Sequence, residues 1–414
     1  MMGFSFDSEK TYKKIYLNGE NISGYTYSRA FDYFMQKENE KLKSKKLTVI
    51  VDGREYNYFG KDIYFDTDLK SVLLKGISLN QKWYKRKRKN LSYTVYYSLK
   101  NIDNKLNVVE RENSVKCVDA KPILINEKFS IQQEIYGKRV DRERLKNEID
   151  FSLNNSIESL EFSTDIVIPE IDKEELERCV FLRKSFKTSL FSSTDDRIDN
   201  VSLALSKFHL MVVKENEEIS FNKVVGERTS ERGFKNAKVI LDGRFIEGVG
   251  GGVCQSSTTI YNAVVLAGLE VVKVSPHSLP VSYVPPSRDA MVSYSSDLVF
   301  KNTTGSPIII LSYVKDKQAI VEVYGSEMKE KYDIESVVKE KLPTQKEILI
   351  EDNLNEYNLK NGERKVLQYG KEGLISESYL LRYKDGYLIE RKFLRKDKYK
   401  PTDSIVIVGK GENT

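Results

Sequence analysis

The sequence predicts a multidomain α+β protein: two N-terminal α+β units, a third α+β unit, and a small all-β module at the C-terminal end. Three observations carry this. A chain of 414 residues exceeds one ordinary core and suggests two to four domains at roughly 100–200 residues each. Helical and strand periodicities alternate as far as about residue 326. From about Asp333 the pattern is strand-rich and punctuated by Gly362, Gly370, Gly373, Gly386 and Gly409. The expected boundaries are 1–90, 91–180, 191–326 and 331–410.

The elements follow in order. Ile15 to Gly19 reads as a short strand and turn, and Thr26 caps a helix whose apolar residues Ala30, Phe31, Phe34 and Met35 have helical spacing. Leu47 to Val51, Asp52-Gly53 and Tyr56 to Phe59 form a hairpin pattern. Tyr93 to Leu99 and Ile123 to Ile125 read as strands, and Val140-Asp141 opens a helix with Leu145 and Ile149 on one face. In the third unit, Val201, Leu205 and Phe208 make a helical stripe behind the Ser192 to Asp196 cluster. The glycine run Gly248, Gly250, Gly251, Gly252 precedes a helix that carries Ile260 and Val264 and stops near Gly268. Met291 to Tyr294, Ile308 to Val314 and Ala319 to Tyr324 read as strands, the last two joined by a Lys315-Asp316-Lys317 turn.

Composition excludes several classes. Hydrophobic residues make up 40% of the chain, with 25 Tyr and 18 Phe against 9 Pro, which is enough for packed cores and argues against global disorder. The net charge of +6 is small beside 67 basic and 61 acidic side chains, so the surface favours an anionic neighbourhood without requiring nucleic acid. No run reaches the ~18 apolar residues of a membrane helix. Met1 to Asn21 lacks the apolar stretch of a signal peptide, so any membrane attachment is expected through an anchor absent from this sequence. Two His and three Cys show no zinc-ligand spacing, and neither a phosphate loop nor an EF-hand loop occurs; no metal and no cofactor are expected. Cys117 and Cys179 could pair, though scattered thiols in cores fit their spacing better. The basic run Lys82 to Lys89 reads as a solvated linker or as a grip for a polyanion.

Cys254 stands directly behind the glycine run and at the start of a helix. Exposed helix N–H groups and a nearby imidazolium both stabilise a thiolate. Glycines remove the Cβ atoms that would keep a substrate from the sulfur, and the backbone N–H of Gln255 or Ser256 could face an oxyanion. The opposing expectation is a buried small hydrophobe in a tight turn. Histidine scarcity separates the two: His209 lies in the apolar Phe208 to Val213 stretch and suits packing, whereas His277 lies in the polar turn Ser275 to Pro280. If the thiol has an imidazole partner, elimination points to His277. Asp289 could orient that ring, and Asp297 is equally acceptable as the third member.

The same residues carry a resemblance. Glu218-Ile219-Ser220-Phe221-Asn222, Gly226-Glu227-Arg228-Thr229, Gly250 to Ala263 with Gly-Gly-Gly-Val-Cys-Gln at its head, His277-Ser278, Val281-Ser282-Tyr283-Val284 and Asp289-Ala290 together resemble the VanW domain, over about residues 191–325. The resemblance implies that some members are atypical L,D-transpeptidases using the cysteine of that glycine motif, here Cys254; the expected catalytic set is Cys254 with His277 and Asp289. The residues expected to bind substrate are Arg228, Gly251, Gly252, Gln255, Ser256, Ser257 and Tyr283. The chain departs from the pattern where a glycine usually precedes Asp-Ala and Pro285-Pro286-Ser287-Arg288 stands instead, in the loop that supports Asp289. Residues 15–90 and 91–170 resemble the peptidoglycan-binding domain that often precedes VanW, and the C-terminal glycines with Pro401-Thr402-Asp403 resemble a G5 domain.

These resemblances imply an extracytoplasmic protein of the cell wall or cell surface. Its expected partners are peptidoglycan stem peptides and glycan strands, with anionic wall polymers as further candidates and no nucleic acid. The leading expectation is an L,D-transpeptidase that forms 3–3 cross-links through a Cys254 thioester. A cysteine endopeptidase or carboxypeptidase of stem peptides shares that acyl-enzyme and is the first alternative; a non-catalytic wall-binding protein is the second. The flanking modules are expected to supply location, leaving the whole constellation within 191–326.

Overall fold

A computed structural model describes residues 11–80, 87–126, 128–241, 244–344, 346–353 and 356–409. Most of the basic run at Lys82 to Lys89 lies outside them. The chain is multidomain and α+β, and its C-terminal module is all β. It divides into two compact units: one of 1–119 with 135–170, the other of 120–134 with 171–414.

In the first unit, Thr26 accepts a hydrogen bond from the Arg29 N–H and starts helix Tyr27–Ser44, and Asp141 does the same for Arg144 and helix Arg142–Asn154. Two apolar clusters form its core, one around Tyr12, Phe34 and Leu73 and one around Val49, Leu145 and Phe162. Glu38 joins them: 1% exposed, it accepts from the hydroxyls of Tyr93 (2.7 Å) and Tyr97 (3.1 Å) and pairs with Lys41. The expected boundary at residue 90 is corrected by strand pairing. Ile15–Leu17 pairs in parallel with Lys89–Leu91, Ile63–Thr67 antiparallel with Val95–Leu99, and Lys46–Val51 in parallel with Ser159–Phe162. Backbone donors of the first segment are satisfied by the second, so the two stretches fold as one unit.

The second unit is built on a four-stranded antiparallel sheet. Its strands are β1 (Phe181–Ser189), β2 (Met211–Val213), β5 (Ile308–Lys315) and β6 (Gln318–Gly325), in the order β1-β6-β5-β2. Over the sheet lie α1 (Asp195–Ser206) and α2 (Val253–Leu266). Between these helices in sequence, β3 (Asn236–Leu241) and β4 (Arg244–Val249) form a separate two-stranded hairpin. β5 is buried along Ile308 to Leu311 because both its faces are covered. Ile308 and Ile310 enter the main core with α1 and α2, and Ile309 enters a second cluster with Ala120, Ile171 and Leu176, as the period-2 alternation of a strand requires. Hairpin strands Lys121–Ile125 and Lys128–Gln132 thus belong to this unit, with Phe129 packed edge-on against Tyr324. β1 pairs with the full length of β6, so the expected start at 191 cuts off an edge strand of the sheet.

The C-terminal module contributes β7 (Glu330–Leu342), β8 (Gly373–Lys384) and β9 (Tyr387–Tyr399) as one antiparallel sheet. A second sheet has Ser404–Gly409 between Glu347–Asp352 and Arg364–Gln368. Ile334, Leu380 and Leu394 of the first sheet pack into the core that holds α2. The expected strand at Met291 to Tyr294 is absent; that stretch is a loop, tied by a hydrogen bond from Met291 N–H to Ser275 O. Its side chains line a cleft instead of forming a ladder.

Candidate active site

The site begins with the turn before α2. Gly250 (φ +84°) and Gly252 (φ +106°) hold left-handed backbone that side chains with a Cβ rarely adopt. Gly251 presses against β3: a Cβ there would stand 2.6 Å from the Ala237 carbonyl oxygen. Buried Asn200 on α1 fixes the turn, donating to the carbonyls of Gly251 (3.0 Å) and Lys235 (2.9 Å). α2 is buried all round, and Cys254 is the residue of it left half-buried. A helix apolar on every face belongs inside a core; the partial exposure of Cys254 is where that helix meets the cleft.

His277 and Asp289 converge on this point. Asp289 Oδ2 accepts from the backbone N–H of His277 (2.7 Å) and pairs with His277 Nδ1 (2.6 Å), which leaves Nε2 for the thiol. Both residues are buried, His277 at 6% and Asp289 at 0% exposure. Cys254 Sγ also lies 3.3 Å from the Val292 carbonyl. Burial pushes the Cys254 thiol up, but the hydrogen bond and charge of His277, with the charge of Arg228, outweigh it and hold the thiol below its usual range. Burial pulls the His277 imidazole down; its hydrogen bonds to Asp289 and Cys254 prevail and push it up to about 9. Asp289 is raised by burial and lowered more by its His277 and Tyr399 partners, and stays below the usual carboxylate range. Together these favour a thiolate–imidazolium pair.

The loop carrying Asp289 is pinned from two sides. From α2, Ser257 donates to Ala290 O (2.6 Å), Thr258 accepts from Ala290 N–H (2.9 Å) and Asn262 donates to Arg288 O (2.8 Å). From β9, the Tyr399 hydroxyl donates to Asp289 Oδ1 (2.5 Å), and Arg395 Nη2 donates to Asp289 O (2.6 Å) with Oδ1 at 3.3 Å. Sequence patterning points to neither Tyr399 nor Arg395. They lie 110 and 106 residues from their partner, and no local spacing links them to it.

In front of the thiol lies a cleft of about 820 Å³, lined among others by Arg197, Arg228, Lys238, Tyr283, Tyr294 and Lys371. Of the expected substrate-binding residues, Arg228, Gly252, Gln255 and Tyr283 reach it and Gly251, Ser256 and Ser257 do not. Ser256 and Ser257 are fully buried and spend their hydroxyls on backbone carbonyls. The Gln255 carboxamide is also committed, donating to Thr188 and Ser189 and accepting from Arg197. Its N–H donates to Gly252 O (2.8 Å) and is not free for an oxyanion. Burial lowers the Arg228 guanidinium from its usual range, and it donates to Asn222 Oδ1. Asp297 accepts from Ser220 and the Asn222 N–H, away from His277, so the open choice of carboxylate falls to Asp289. His209 is exposed, with Nδ1 2.7 Å from Ser312 O, and is not the half-buried packing residue expected. The three cysteines are free thiols. Among the described residues no cluster of metal-ligating side chains occurs.

Comparisons with known proteins agree with this layout. Residues 196–324 match the VanW like protein family, 334–410 the G5 domain family, and 70–159 the family described as "Putative peptidoglycan binding domain". The last match spans residue 90, as the strand pairing does. A peptidoglycan-binding match, a VanW match and a G5 match thus follow one another along the chain, a domain set that associates it with the cell wall. It is similar to the uncharacterized protein YoaR of Bacillus subtilis (strain 168), 39% identical over 164 residues, which is 39% of this chain and 54% of that protein. The match thus spans about half the length of that relative. Two solved G5 domains are also similar: HP0197-G5, 24% identical over 20% of this chain, and the IgA1 protease G5 domain, 26% identical over 21%. Each of those is covered in full, at TM-scores of 0.12 and 0.14.

Proposed function

We propose that the protein is a cysteine-dependent acyltransferase of peptidoglycan, an L,D-transpeptidase that forms 3–3 cross-links outside the cytoplasm. The observation that carries this is the half-buried Cys254 at the N-terminus of α2, facing the His277–Asp289 pair inside a cleft. The Cys254 thiolate attacks the stem-peptide carbonyl that precedes the terminal D-residue. Negative charge develops on the carbonyl oxygen. In the first turn of α2 the N–H groups of Val253 and Gln255 are engaged by Gly250 and Gly252, so the Cys254 and Ser256 N–H groups are the proposed donors for that oxygen. The intermediate collapses, His277 gives its Nε2 proton to the departing amine, and a thioester remains on Cys254. The amine of a second stem then attacks the thioester, His277 takes up its proton, and the thiolate leaves. Asp289 keeps the ring in the orientation that presents Nε2. Glycan strands and anionic wall polymers are the proposed ligands of the flanking modules.

The test is incubation of the purified protein with disaccharide-tetrapeptide muropeptides and mass spectrometry of the products. Expected are 3–3 dimers with release of one D-residue per link, no product with Cys254→Ala, and acylation slowed at least ~10²-fold by His277→Ala. Tripeptide without dimer would make water the acceptor and the protein a peptidase. No turnover of any stem peptide would leave a wall-binding protein without chemistry.

A further inference from the structure

The Asp289 carboxylate divides its two oxygens between two domains. Oδ2 faces His277 within the VanW domain, and Oδ1 faces Tyr399 and Arg395 of the G5 domain. The supporting backbone is divided in the same way. Ser287, two residues before Asp289, has φ +59°, the left-handed region that favours glycine. It is fully buried, and three groups of the G5 domain hold it there. Its N–H donates to the Tyr399 hydroxyl (2.7 Å), its hydroxyl meets Ser376 (2.6 Å), and its carbonyl accepts from Arg395 Nε (3.1 Å). Ser336 donates to the neighbouring Pro286 carbonyl (2.6 Å). A surface that served only to anchor the protein on glycan would have no reason to close on the one carboxylate behind the histidine.

We propose that Tyr399 and Arg395 are positioning residues of the Cys254–His277–Asp289 assembly, so that the G5 domain is a structural part of the reactive centre. This rests on the reading of that assembly given above. A buried carboxylate with one oxygen stripped of donors is penalised as an anion. Protonation of Asp289 would remove the counterion of the imidazolium, and the thiolate would in turn lose its own. Other charged and titratable groups face the assembly: Arg228, Arg197 and Tyr283 around the thiol, and Tyr261 and Asp397 around the carboxylate. They are unchanged in the variants below.

The experiment measures the rate of Cys254 alkylation by iodoacetamide against pH in the full chain, resolved by peptide mass spectrometry, with thermal unfolding run alongside. Tyr399→Phe is expected to move the midpoint upward by about one pH unit, the lower end of the shift that a lost partner gives a buried group. Arg395→Lys, which keeps the charge and loses the fork, is expected to shift it less. Tyr379→Phe, in the same G5 sheet with its hydroxyl on Glu377, is expected to leave it in place. A merely structural role would lower the melting temperature without moving the midpoint, and that result overturns the proposal. Should Tyr399→Phe not fold, Arg395→Lys against Tyr379→Phe decides the question. His277→Ala separates the two readings. If it shifts the midpoint and the G5 variants do not, the positioning role fails alone; if it too leaves the midpoint unchanged, the thiol–imidazole reading fails with it.

Discussion

At the scale of single residues, environment decides the chemistry of three thiols. Cys179 is buried and pushed up from the usual thiol range by that burial, whereas Cys254 is held below the range by His277 against its own burial. The sign follows for pH. A depressed thiol stays ionised to lower pH than an ordinary one, so Cys254 should alkylate at pH 6–7 far faster than Cys117 or Cys179, read by differential labelling and mass spectrometry. An imidazole raised to about 9 stays protonated up to that pH, so turnover should fall on the alkaline side near pH 9, where the proton for the departing amine is lost. Equal labelling of all three cysteines, or turnover still rising above pH 9, would contradict this account. Cys254 and His277 were legible in the sequence from a glycine turn and from scarcity. Asp289 was not separable from Asp297, because the distinction lies in which loop returns to the ring.

At the scale of elements, the turn before α2 is where local and tertiary demands meet. Gly250 and Gly252 satisfy a backbone conformation, but Gly251 satisfies a neighbour, the Ala237 carbonyl of β3. Gly251→Ala should therefore cost ~1–3 kcal/mol, the usual scale of an overpacked site, and should slow Cys254 alkylation because the first turn of α2 moves with it. Thermal unfolding and the labelling rate check this together; an alanine variant that melts and reacts like the wild type would sink it. The helices over 27–44 and 142–154 follow their caps and apolar stripes closely. Met291 to Tyr294 did not follow its apolar pattern: the stretch has the composition of a strand, yet the cleft and the Val292 carbonyl beside Cys254 take up what a ladder would have used.

At the scale of the whole molecule, the residues proposed for chemistry and the domains matched to wall-binding families lie in different stretches of the chain. The segment 191–326 holds Cys254, His277 and Asp289 but not all that supports them, since β1 precedes it and Tyr399 and Arg395, bonded to Asp289, follow it. No helix among the described residues is long and apolar enough to cross a membrane. On the proposed reading, the peptidoglycan-binding and G5 domains hold the protein on the wall, several weak contacts adding up through linkage. Cys254→Ala leaves those surfaces intact, so it should cosediment with purified sacculi as the wild type does while forming no cross-links. Loss of cosedimentation in that variant would mean that the covalent thioester, and not the modules, accounts for retention.

The sequence by itself determined the order of the domains, the helix that begins at the glycine run, and which histidine stands beside the Cys254 thiol. Each rests on information within a few residues: periodicity, turn chemistry, or the rarity of one side chain. Only the tertiary structure decided that residues on both sides of position 90 share one unit, that Ser256 and Ser257 face the core and not the cleft, and that Asp289 answers to Tyr399 and Arg395. Some of those pairings join segments more than 100 residues apart, as Asp289 and Tyr399 are at 110, and a hydrogen bond between such segments leaves no period in the chain because it is chosen by how finished elements pack.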